Sequence, residues 1–257
     1  MLIIGLAGQA GSGKDTIANY LARRYGFVKF AFSDSLYWEI QRAFSLEDQS
    51  LLRDRATKEV ETPALALEKC LDAEFLTALK RTRPVLQEDK PRSPRWILQQ
   101  WGTEYRRHQD ENYWIKQAAA FVEQMHYLPP YPELRPSLFV ECGTRFDNEQ
   151  GWIHSVGGNI WHVRRDATDT MEDTHTSAIP LPVLEGEREI WNNDSIVRLQ
   201  QGVDLLLSTG AKFVRVEPML PDEPPLPGGQ YYAEQPDGHK MLCNADGTRS
   251  VFDDVDE

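Results

Sequence analysis

The sequence predicts an α/β fold in which a parallel sheet is flanked by helices, and three segments support this prediction. The first, Leu2–Ala7, is apolar on both faces, as a central strand covered by helices must be. The second carries Ile17 and Leu21 on one face and ends near Gly26, which is typical of an amphipathic helix. The third, residues 27–32, is predicted as another short strand. A strand, a helix and a strand in this order form the βαβ unit of a parallel sheet.

After the second strand the sequence predicts mostly helices. Residues 33–35 offer a helix start, and apolar residues then recur at helical spacing: Leu36, Ile40, Ala43 and Phe44. A helix over residues 96–101 is expected to stop at Gly102. The next helix is expected to have an apolar face formed by Trp114, Ala118, Phe121, Val122 and Met125.

Strands return in the second half of the chain. Residues 138–142 and 160–163 are predicted strands, and Asp194 is expected to cap a last helix that Gly210 ends. Residues 217–257 differ in character, because they begin with a Pro/Gly-rich linker, contain the turn signals of a small hairpin and finish in an acidic tail.

Composition and charge exclude several classes of protein. The 257-residue chain has a net charge of −12, which disfavours non-specific binding to nucleic acid. Its three cysteines lie far apart and its six histidines show no metal spacing, so neither a zinc site nor a disulfide framework is expected. No secretory signal is recognisable, and no segment approaches the roughly 20 apolar residues of a membrane span. We therefore expect a cytoplasmic protein.

A phosphate-binding loop, or P-loop, follows the first strand. Residues 8–14 match the pattern G-x-x-x-x-G-K and lie between a predicted strand and a predicted helix, as this motif requires. Gly8, Gly11 and Gly13, with Ser12 among them, let backbone N–H groups point at phosphate oxygens. The following helix directs its positive dipole end to the same place. Lys14 is expected to reach the β- and γ-phosphates of ATP.

One position departs from the common form of this motif. Ser or Thr commonly follows the lysine and binds Mg²⁺ through its hydroxyl, whereas this chain has Asp15 and then Thr16. The Asp15 carboxylate is expected to bind the metal, directly or through water, or to orient a substrate. The structural alternative is an acidic helix start that the helix dipole favours.

The chain resembles the bacteriophage-type deoxynucleoside monophosphate kinases over about residues 1–210. The similarity lies in short blocks that follow one another in the family's order, and this order is more specific than any single block beyond the P-loop. The matching blocks are residues 11–16, 32–36, 95–107 with Trp114, 145–149, 157–158, 163–165, 175–177 and 190–194.

The resemblance implies a P-loop NTPase fold with a core, a monophosphate-binding region and a mobile lid. The kinase domain would span residues 1–216, with the lid at about residues 164–188. The implied reaction transfers a phosphoryl group from ATP to a deoxynucleoside monophosphate (dNMP), with Mg²⁺. The expected partner is thus a small-molecule substrate, with no nucleic acid and no membrane, and the sequence leaves a monomer and a homodimer open.

Phosphoryl transfer needs positive charge around the transferred group, and arginine can bind phosphate through two parallel hydrogen bonds. The resemblance assigns Arg95, with Arg106 and Arg107 as further candidates, to the acceptor monophosphate. It places Arg164 and Arg165 in the lid. It assigns a catalytic role to these two residues and to Arg145, and it expects Arg145 to contact the substrate as well. The alternative for each is a solvated surface charge.

Three further residues are substrate-binding candidates with a structural alternative. Trp114 is expected either to stack on a base or to begin the apolar face of its helix. Asp34 and Glu149 are expected either to accept hydrogen bonds from base or sugar, or to cap helices.

Another three candidates lie at breaks in the predicted elements. Gly102 and Thr103 offer backbone and hydroxyl contacts to the monophosphate, and the alternative is a simple helix break. Asn193 is expected near the adenine of ATP, and a capped turn is its alternative.

Two departures from the family's pattern concern catalysis. The family usually places Asp two residues before the arginine of its Arg–Phe block, where this chain has Gly143. Residues two apart on a strand face the same side, so Glu141 is expected to supply the carboxylate and to serve as a metal ligand. The family tends to have Glu after a His-x-Ser motif, where this chain has Ala178, which weakens a catalytic role for the His175 segment.

Two other functions stay open from the sequence. The nearer is another small-molecule P-loop kinase, acting on dephospho-coenzyme A or on a nucleoside. The more distant is a P-loop ATPase or a nucleotide-regulated binding module. A requirement for a monophosphate acceptor would separate the leading interpretation from both.

Overall fold

A computed structural model describes residues 1–127, 131, 135–169, 180–209, 213–216, 231–234 and 240–243. The chain divides into two compact units. Unit 1 consists of Met1–Ala31 and the described part of Met125–Glu257, and unit 2 is Phe32–Gln124. Unit 1 contains all the described strands, and unit 2 is mainly helical. No helix in the described ranges is long and apolar enough to cross a membrane.

Unit 1 is built on a six-stranded sheet with the order β2-β3-β1-β4-β5-β6. Its strands are β1 Leu2–Ala7, β2 Val28–Phe30, β3 Leu138–Thr144, β4 Asn159–Arg164, β5 Arg188–Asn192 and β6 Phe213–Val216. Every neighbouring pair is parallel. The predicted α/β class, with a parallel sheet flanked by helices, is confirmed.

The helices are α1 Lys14–Tyr25, α2 Asp34–Ala43, α3 Ser50–Arg53, α4 Ala73–Thr82, α5 Pro94–Gln99, α6 Tyr113–Tyr127, α7 Asp147–Ser155, α8 Asp166–Asp169 and α9 Ile196–Thr209. Two short 3₁₀ turns, Pro63–Leu65 and Leu67–Lys69, lie in unit 2. Strands β7 (Tyr231–Glu234) and β8 (Lys240–Cys243) form a separate antiparallel pair, where the hairpin is expected. The domain boundary at residue 216 stays a prediction.

The apolar pattern of the first 26 residues explains how they fold. Residues 3, 4, 6 and 7 of β1 are at most 1% exposed, and α1 covers one face of the sheet with Ile17, Ala18 and Leu21. Burying a side chain of this size contributes about 1.5–3 kcal/mol, so this layer is a large part of the core of unit 1. Gly26 ends α1 with a positive φ of 74°, and its N–H donates to the Ala22 carbonyl.

The predicted helix break at Gly102 is wrong. Helix α5 continues directly into a π-helical segment, Gln100–Arg107, which passes through this glycine. Gly102 is buried, and a Cβ added to it would lie 3.4 Å from Leu36 Cδ2. A Cβ at this distance would be in ordinary contact with α2, so packing within unit 2 does not require the glycine, and the glycine does not end the helix.

Other sequence predictions need smaller corrections. Strand β2 is shorter than the predicted 27–32. Phe121 and Met125 are 38% and 36% exposed, so the buried face of α6 is formed by Trp114, Ile115, Ala118 and Val122 instead. Helix α9 begins one residue after Ser195, whose Oγ accepts the Arg198 N–H at 3.4 Å, so Ser195 takes the capping position predicted for Asp194. Gly210 and His175 lie outside the described residues.

A buried carboxylate, Glu187, ties β4, α7 and the start of β5 together. Its Oε1 lies 2.7 Å from His154 Nε2 and accepts a 2.6 Å hydrogen bond from Gln150 Nε2. Its Oε2 lies 2.7 Å from His162 Nε2 and accepts the Leu184 N–H at 2.7 Å. Burial opposes ionisation, but these hydrogen bonds outweigh it and lower the pKa of Glu187. The structural role expected for the histidines thus holds for His154 and His162.

We predict that Glu187→Gln lowers the free energy of unfolding by about 2 kcal/mol or more at pH 7, because an amide cannot accept from all four donors. The pKa of Glu187 is lower in the folded protein than its value of about 4.3 in the unfolded chain. Its carboxylate therefore stabilises the fold at pH values above about 4.3, and this stabilisation is lost as the pH falls through the folded pKa. Urea unfolding at pH 7, 5 and 3 measures both effects. The control is Glu185→Gln, an exposed carboxylate two residues away. The prediction would be contradicted if the two variants lost the same free energy of unfolding. It would also be contradicted if the difference in stability between wild type and Glu187→Gln did not narrow below about pH 4.

Candidate active site

The P-loop leaves the sheet at the carboxyl end of β1 and leads into α1. Gly8, Gly11 and Gly13 have φ values of 140°, 84° and 112°, which residues with a Cβ rarely adopt. A Cβ on Gly8 would lie 2.3 Å from the Val163 carbonyl oxygen, and one on Gly13 would lie 2.5 Å from Asn192 Nδ2. The glycines are therefore required by backbone conformation and by close approach to β4 and β5.

The side chain of Lys14 lies against its own loop. Its Nζ donates hydrogen bonds of 2.7 Å to the carbonyl oxygens of Gly8 and Gln9. The ammonium is thus held beside the loop whose glycines direct the backbone around a phosphate. Its predicted binding of the β- and γ-phosphates stays a prediction.

The start of α1 is suited to an anion. Its N-cap residue, Gly13, makes no side-chain capping hydrogen bond, and the N-terminus of a 12-residue helix favours negative charge. Ser12 is fully buried, and its hydroxyl has no hydrogen-bond partner among the described residues. Asp15 is exposed in the first turn and Thr16 is half-buried beside it, where both can face a ligand's metal ion.

Asn192, at the end of β5, fixes the loop from the side. Its Nδ2 donates a 2.8 Å hydrogen bond to the Ser12 carbonyl oxygen. Its neighbour Asn193 instead bonds Asp166, accepting the backbone N–H and donating to the carboxylate, both at 3.0 Å. The structure therefore favours the structural alternative for Asn193, which is a capped turn. The asparagine that contacts the P-loop is Asn192.

The predicted catalytic arginines of unit 1 lie where neighbouring strands end. Arg164 is the last residue of β4, and its Nε donates to Glu189 Oε1 at 3.1 Å. Arg165 is exposed and donates to the Gly11 carbonyl oxygen at 3.4 Å, so it lies beside the P-loop. Arg145 follows β3 and is exposed. Ligands of open parallel sheets commonly bind at this edge, and the phosphate-binding role of the three arginines stays a prediction.

Glu141 and Glu149 are both buried in unit 1. Glu141 pairs with Gly5 of β1, and its Oε2 accepts the Gly143 N–H at 2.9 Å and the Thr144 hydroxyl at 2.6 Å. Glu149 Oε2 accepts the backbone N–H of Arg145 at 2.9 Å. Glu149 thus makes a helix-capping interaction, as expected from the structural alternative to substrate binding. Glu141 lies next to β1, the strand that leads into the P-loop.

In unit 2 the acceptor-side candidates differ in how firmly they are held. The Arg95 guanidinium donates from Nε to Glu59 at 2.7 Å, and both side chains are at least half exposed. Arg106 donates from Nε to Glu39 at 2.9 Å, and both side chains are about one-fifth exposed. Asp34 is paired with the exposed Arg53 at 3.0 Å. Exposed pairs contribute little to geometry or stability, so Arg106 is the best fixed of these charges.

The remaining candidates of unit 2 lie around the π-helical segment. Trp114 is 4% exposed and donates from Nε1 to the Gly102 carbonyl oxygen at 3.1 Å. A buried indole offers no open face to a base, so the structure favours its packing interpretation. Thr103 is exposed, and Arg107 is half-buried. Among the described residues, no group of three or more His, Cys, Asp or Glu side chains could hold a metal ion.

Sequence reasoning missed two residues of these sites. Asn192 could have been found, because it ends a parallel strand two places from β1, at the edge that carries the P-loop. Glu39 could not, because nothing in an amphipathic helix distinguishes it from a solvated charge. Its role depends on Trp101, Arg106 and Tyr113, which come 62, 67 and 74 residues later in the chain.

Comparison with known proteins gives a relative of matching length. No family model matches the chain. A protein of Acanthamoeba polyphaga mimivirus named "Putative deoxynucleotide monophosphate kinase" is 28% identical over 201 residues, which cover 77% of this chain and 91% of the relative. The aligned region is thus nearly the whole of that relative.

Two solved structures are similar at low scores. Dephospho-CoA kinase from Campylobacter jejuni aligns with a TM-score of 0.39 and 16% identity over 82% of this chain and 99% of its own. A sugar kinase from Janibacter sp. HTCC2649 aligns with a TM-score of 0.31 and 13% identity over 78% of this chain and 90% of its own. At these scores neither structure decides anything about this chain.

The P-loop, its place after the central strand and the viral relative agree on one class of protein. The chain is a kinase of the P-loop type, and hence a phosphotransferase.

Proposed function

We propose that this kinase transfers the γ-phosphoryl group of ATP to the phosphate of a deoxynucleoside monophosphate. A phosphate oxygen of the dNMP forms the new bond to the γ-phosphorus, and the bond to the β,γ-bridging oxygen breaks. The products are ADP and the deoxynucleoside diphosphate. The observation that carries the proposal is the P-loop with Lys14 beside it, and the name of the viral relative supports the choice of acceptor.

The ATP site in this proposal is the P-loop of unit 1. Gly8, Gly11 and Gly13 shape the loop around the β- and γ-phosphates, and the start of α1 adds its N–H groups. Lys14 exchanges its loop carbonyls for phosphate oxygens, and Arg165 stands beside Gly11 to offset charge on the transferred group. Arg145 and Arg164 are assigned the same task from the ends of β3 and β4.

The acceptor residues in this proposal belong to unit 2. Arg106, with Arg95 and Arg107, is assigned to the dNMP phosphate, because arginine binds phosphate through two parallel hydrogen bonds. Thr103 and Asp34 are assigned to polar contacts with the acceptor. These assignments follow the family resemblance, and the observed pairing of Arg106 with Glu39 supports the first of them.

Magnesium would be held at the start of α1. Mg²⁺ commonly keeps several waters and takes one or two protein oxygens together with substrate phosphates, and Asp15 and Thr16 fit this need. Bound there, the ion would neutralise charge on the phosphates. Glu141 is assigned to support it from the neighbouring strand.

We predict that Glu141→Gln raises the Mg²⁺ concentration needed for half-maximal rate by about tenfold, because a carboxylate near the metal is replaced by an amide. The rate at saturating Mg²⁺ should fall less. Initial rates over a magnesium titration provide the measurement, with Glu185→Gln as the control. An unchanged titration curve for a folded Glu141→Gln protein would remove this residue from the metal site.

The main test of the function uses purified protein, ATP and Mg²⁺ with a panel of deoxy- and ribonucleoside monophosphates, dephospho-coenzyme A and nucleosides. We predict ADP formation that depends on a dNMP. Lys14→Met should lower kcat by about 10³-fold or more, since it removes the cation at the transferred phosphate. The control Lys29→Met removes a lysine of unit 1 that bonds only Asn19 and should keep its activity.

Three outcomes of this panel count against the proposal. ATP consumption without any acceptor would favour an ATPase. Phosphorylation of dephospho-coenzyme A or of a nucleoside alone would favour the other P-loop kinases. Full turnover by Lys14→Met would remove the P-loop from the mechanism.

The proposal also assigns catalysis to residues 1–216, with the lid at about residues 164–188. We predict that a chain ending at Val216 retains kcat within about twofold, because the six-stranded sheet stays complete. A chain ending at Thr209 is the control, since it loses the edge strand β6 and should be less stable. Thermal melting and kcat are measured together, and a folded chain ending at Val216 with little activity would contradict the assignment.

A further inference from the structure

The guanidinium of Arg106 is contacted by one carboxylate and by two aromatic rings. Its Nε donates to Glu39 Oε2 at 2.9 Å, and its Cζ lies 4.5 Å from the ring centre of Tyr105 and 4.9 Å from that of Tyr113. Within the described residues, its two terminal amino groups make no hydrogen bond. An arginine held in this way presents its fork in one orientation, as phosphate recognition requires.

Glu39 of α2 is the residue that holds it. Besides Arg106, its carboxylate accepts hydrogen bonds from Trp101 Nε1 at 2.7 Å and from the Tyr113 hydroxyl at 2.5 Å. Burial and the hydrogen bond to Glu39 raise the pKa of Tyr113 to about 12, so the phenol stays a donor at neutral pH. Three donors on two oxygens leave this carboxylate little freedom to rotate.

The π-helical segment makes the arrangement possible. Trp101 and Arg106 are five positions apart and donate to the same oxygen of Glu39. In an α-helix with 3.6 residues per turn, residues five apart point in directions about 140° apart. The i→i+5 hydrogen bonding of Gln100–Arg107 brings such residues to one side instead. Wide helical turns of this kind occur often at functional sites.

The other acceptor-side arginine with a carboxylate partner lacks these features. Arg95 pairs with Glu59, but these side chains are 50% and 68% exposed. No aromatic ring is in cation–π contact with Arg95 in the described part of the chain. Glu39 therefore fixes the orientation of Arg106, whereas Glu59 only neutralises the charge of Arg95.

We infer that Glu39 is a positioning residue, which holds Arg106 so that its terminal amino groups bind the phosphate monoester of the acceptor. The inference rests on the proposed function and makes it more specific, because it selects Arg106 as the principal acceptor anchor. Arg95 is then of secondary importance.

The test compares Glu39→Gln with Glu59→Gln, which makes the same chemical change in the exposed pair. We expect Glu39→Gln to raise the KM for dNMP about tenfold while the KM for ATP stays within about twofold. Glu59→Gln should leave both within about twofold. Calorimetric titration in the presence of excess ADP, which occupies the P-loop, measures binding of the dNMP, or of inorganic phosphate if no dNMP is turned over.

Five outcomes decide the matter. A tenfold loss of dNMP or phosphate affinity confined to Glu39→Gln supports the inference. The inference is overturned if Glu39→Gln binds as tightly as wild type, if it weakens ATP and dNMP equally as a structural defect would, or if wild type binds neither probe. Phosphate binding that depends on Glu39 in a protein without dNMP turnover would overturn the proposed function alone.

A second variant covers the case in which Glu39→Gln does not fold. Tyr113→Phe keeps the pair of Glu39 and Arg106 and removes one of the three donors to the carboxylate. We expect it to raise the KM for dNMP about threefold with an unchanged KM for ATP. An unchanged KM for dNMP would then overturn the inference.

Discussion

Strand β1 exchanges backbone hydrogen bonds with β3 on one side and with β4 on the other, and the rest of unit 1 depends on this double pairing. Because both edges and both faces of the strand are occupied, its backbone leaves the sheet in one place, at Gly8. The ends of β3 and β4 are brought beside the same point, together with the arginines that follow them. Backbone pairing thus positions the start of the P-loop, and the hydrogen bond from Asn192 to Ser12 fixes the loop from the side.

In this acidic chain, carboxylates hold two arginine side chains in a fixed orientation. Arg164 is held by Glu189 and Arg106 by Glu39, and in both pairs the side chains are about one-quarter exposed or less. The pair of Arg95 and Glu59 lies in solvent, where two long side chains lose little freedom by pairing. Burial therefore decides which of these ion pairs fixes a geometry. The excess of negative charge does not prevent anion binding, because each fixed arginine keeps donors that its carboxylate does not use.

Local features of the sequence were enough to predict the parallel sheet and the P-loop. A strand apolar on both faces, three glycines and a lysine are contiguous, and the pattern they form has few other structural solutions. Gly102 was misjudged because a glycine predicts a helix end only when its backbone conformation requires one, and Gly102 has no positive φ. Glu39 and Glu187 act on partners remote in the sequence, so no local pattern could have indicated their roles.

The resting position of Lys14 has a consequence for how strongly a nucleotide can be held. The two carbonyl oxygens of Gly8 and Gln9 act as an internal competitor for the ammonium, so an incoming phosphate displaces acceptors that are already tethered to the loop. The charge is never left without acceptors during the exchange, which spares most of its desolvation. The net binding free energy from Lys14 is therefore the difference between its interaction with an anionic phosphate and its interaction with the neutral carbonyls. This difference grows with the negative charge of the ligand. In the reaction proposed above, this difference favours a triphosphate over ligands with less charge, and the ammonium returns to the carbonyl oxygens of Gly8 and Gln9 when the product leaves.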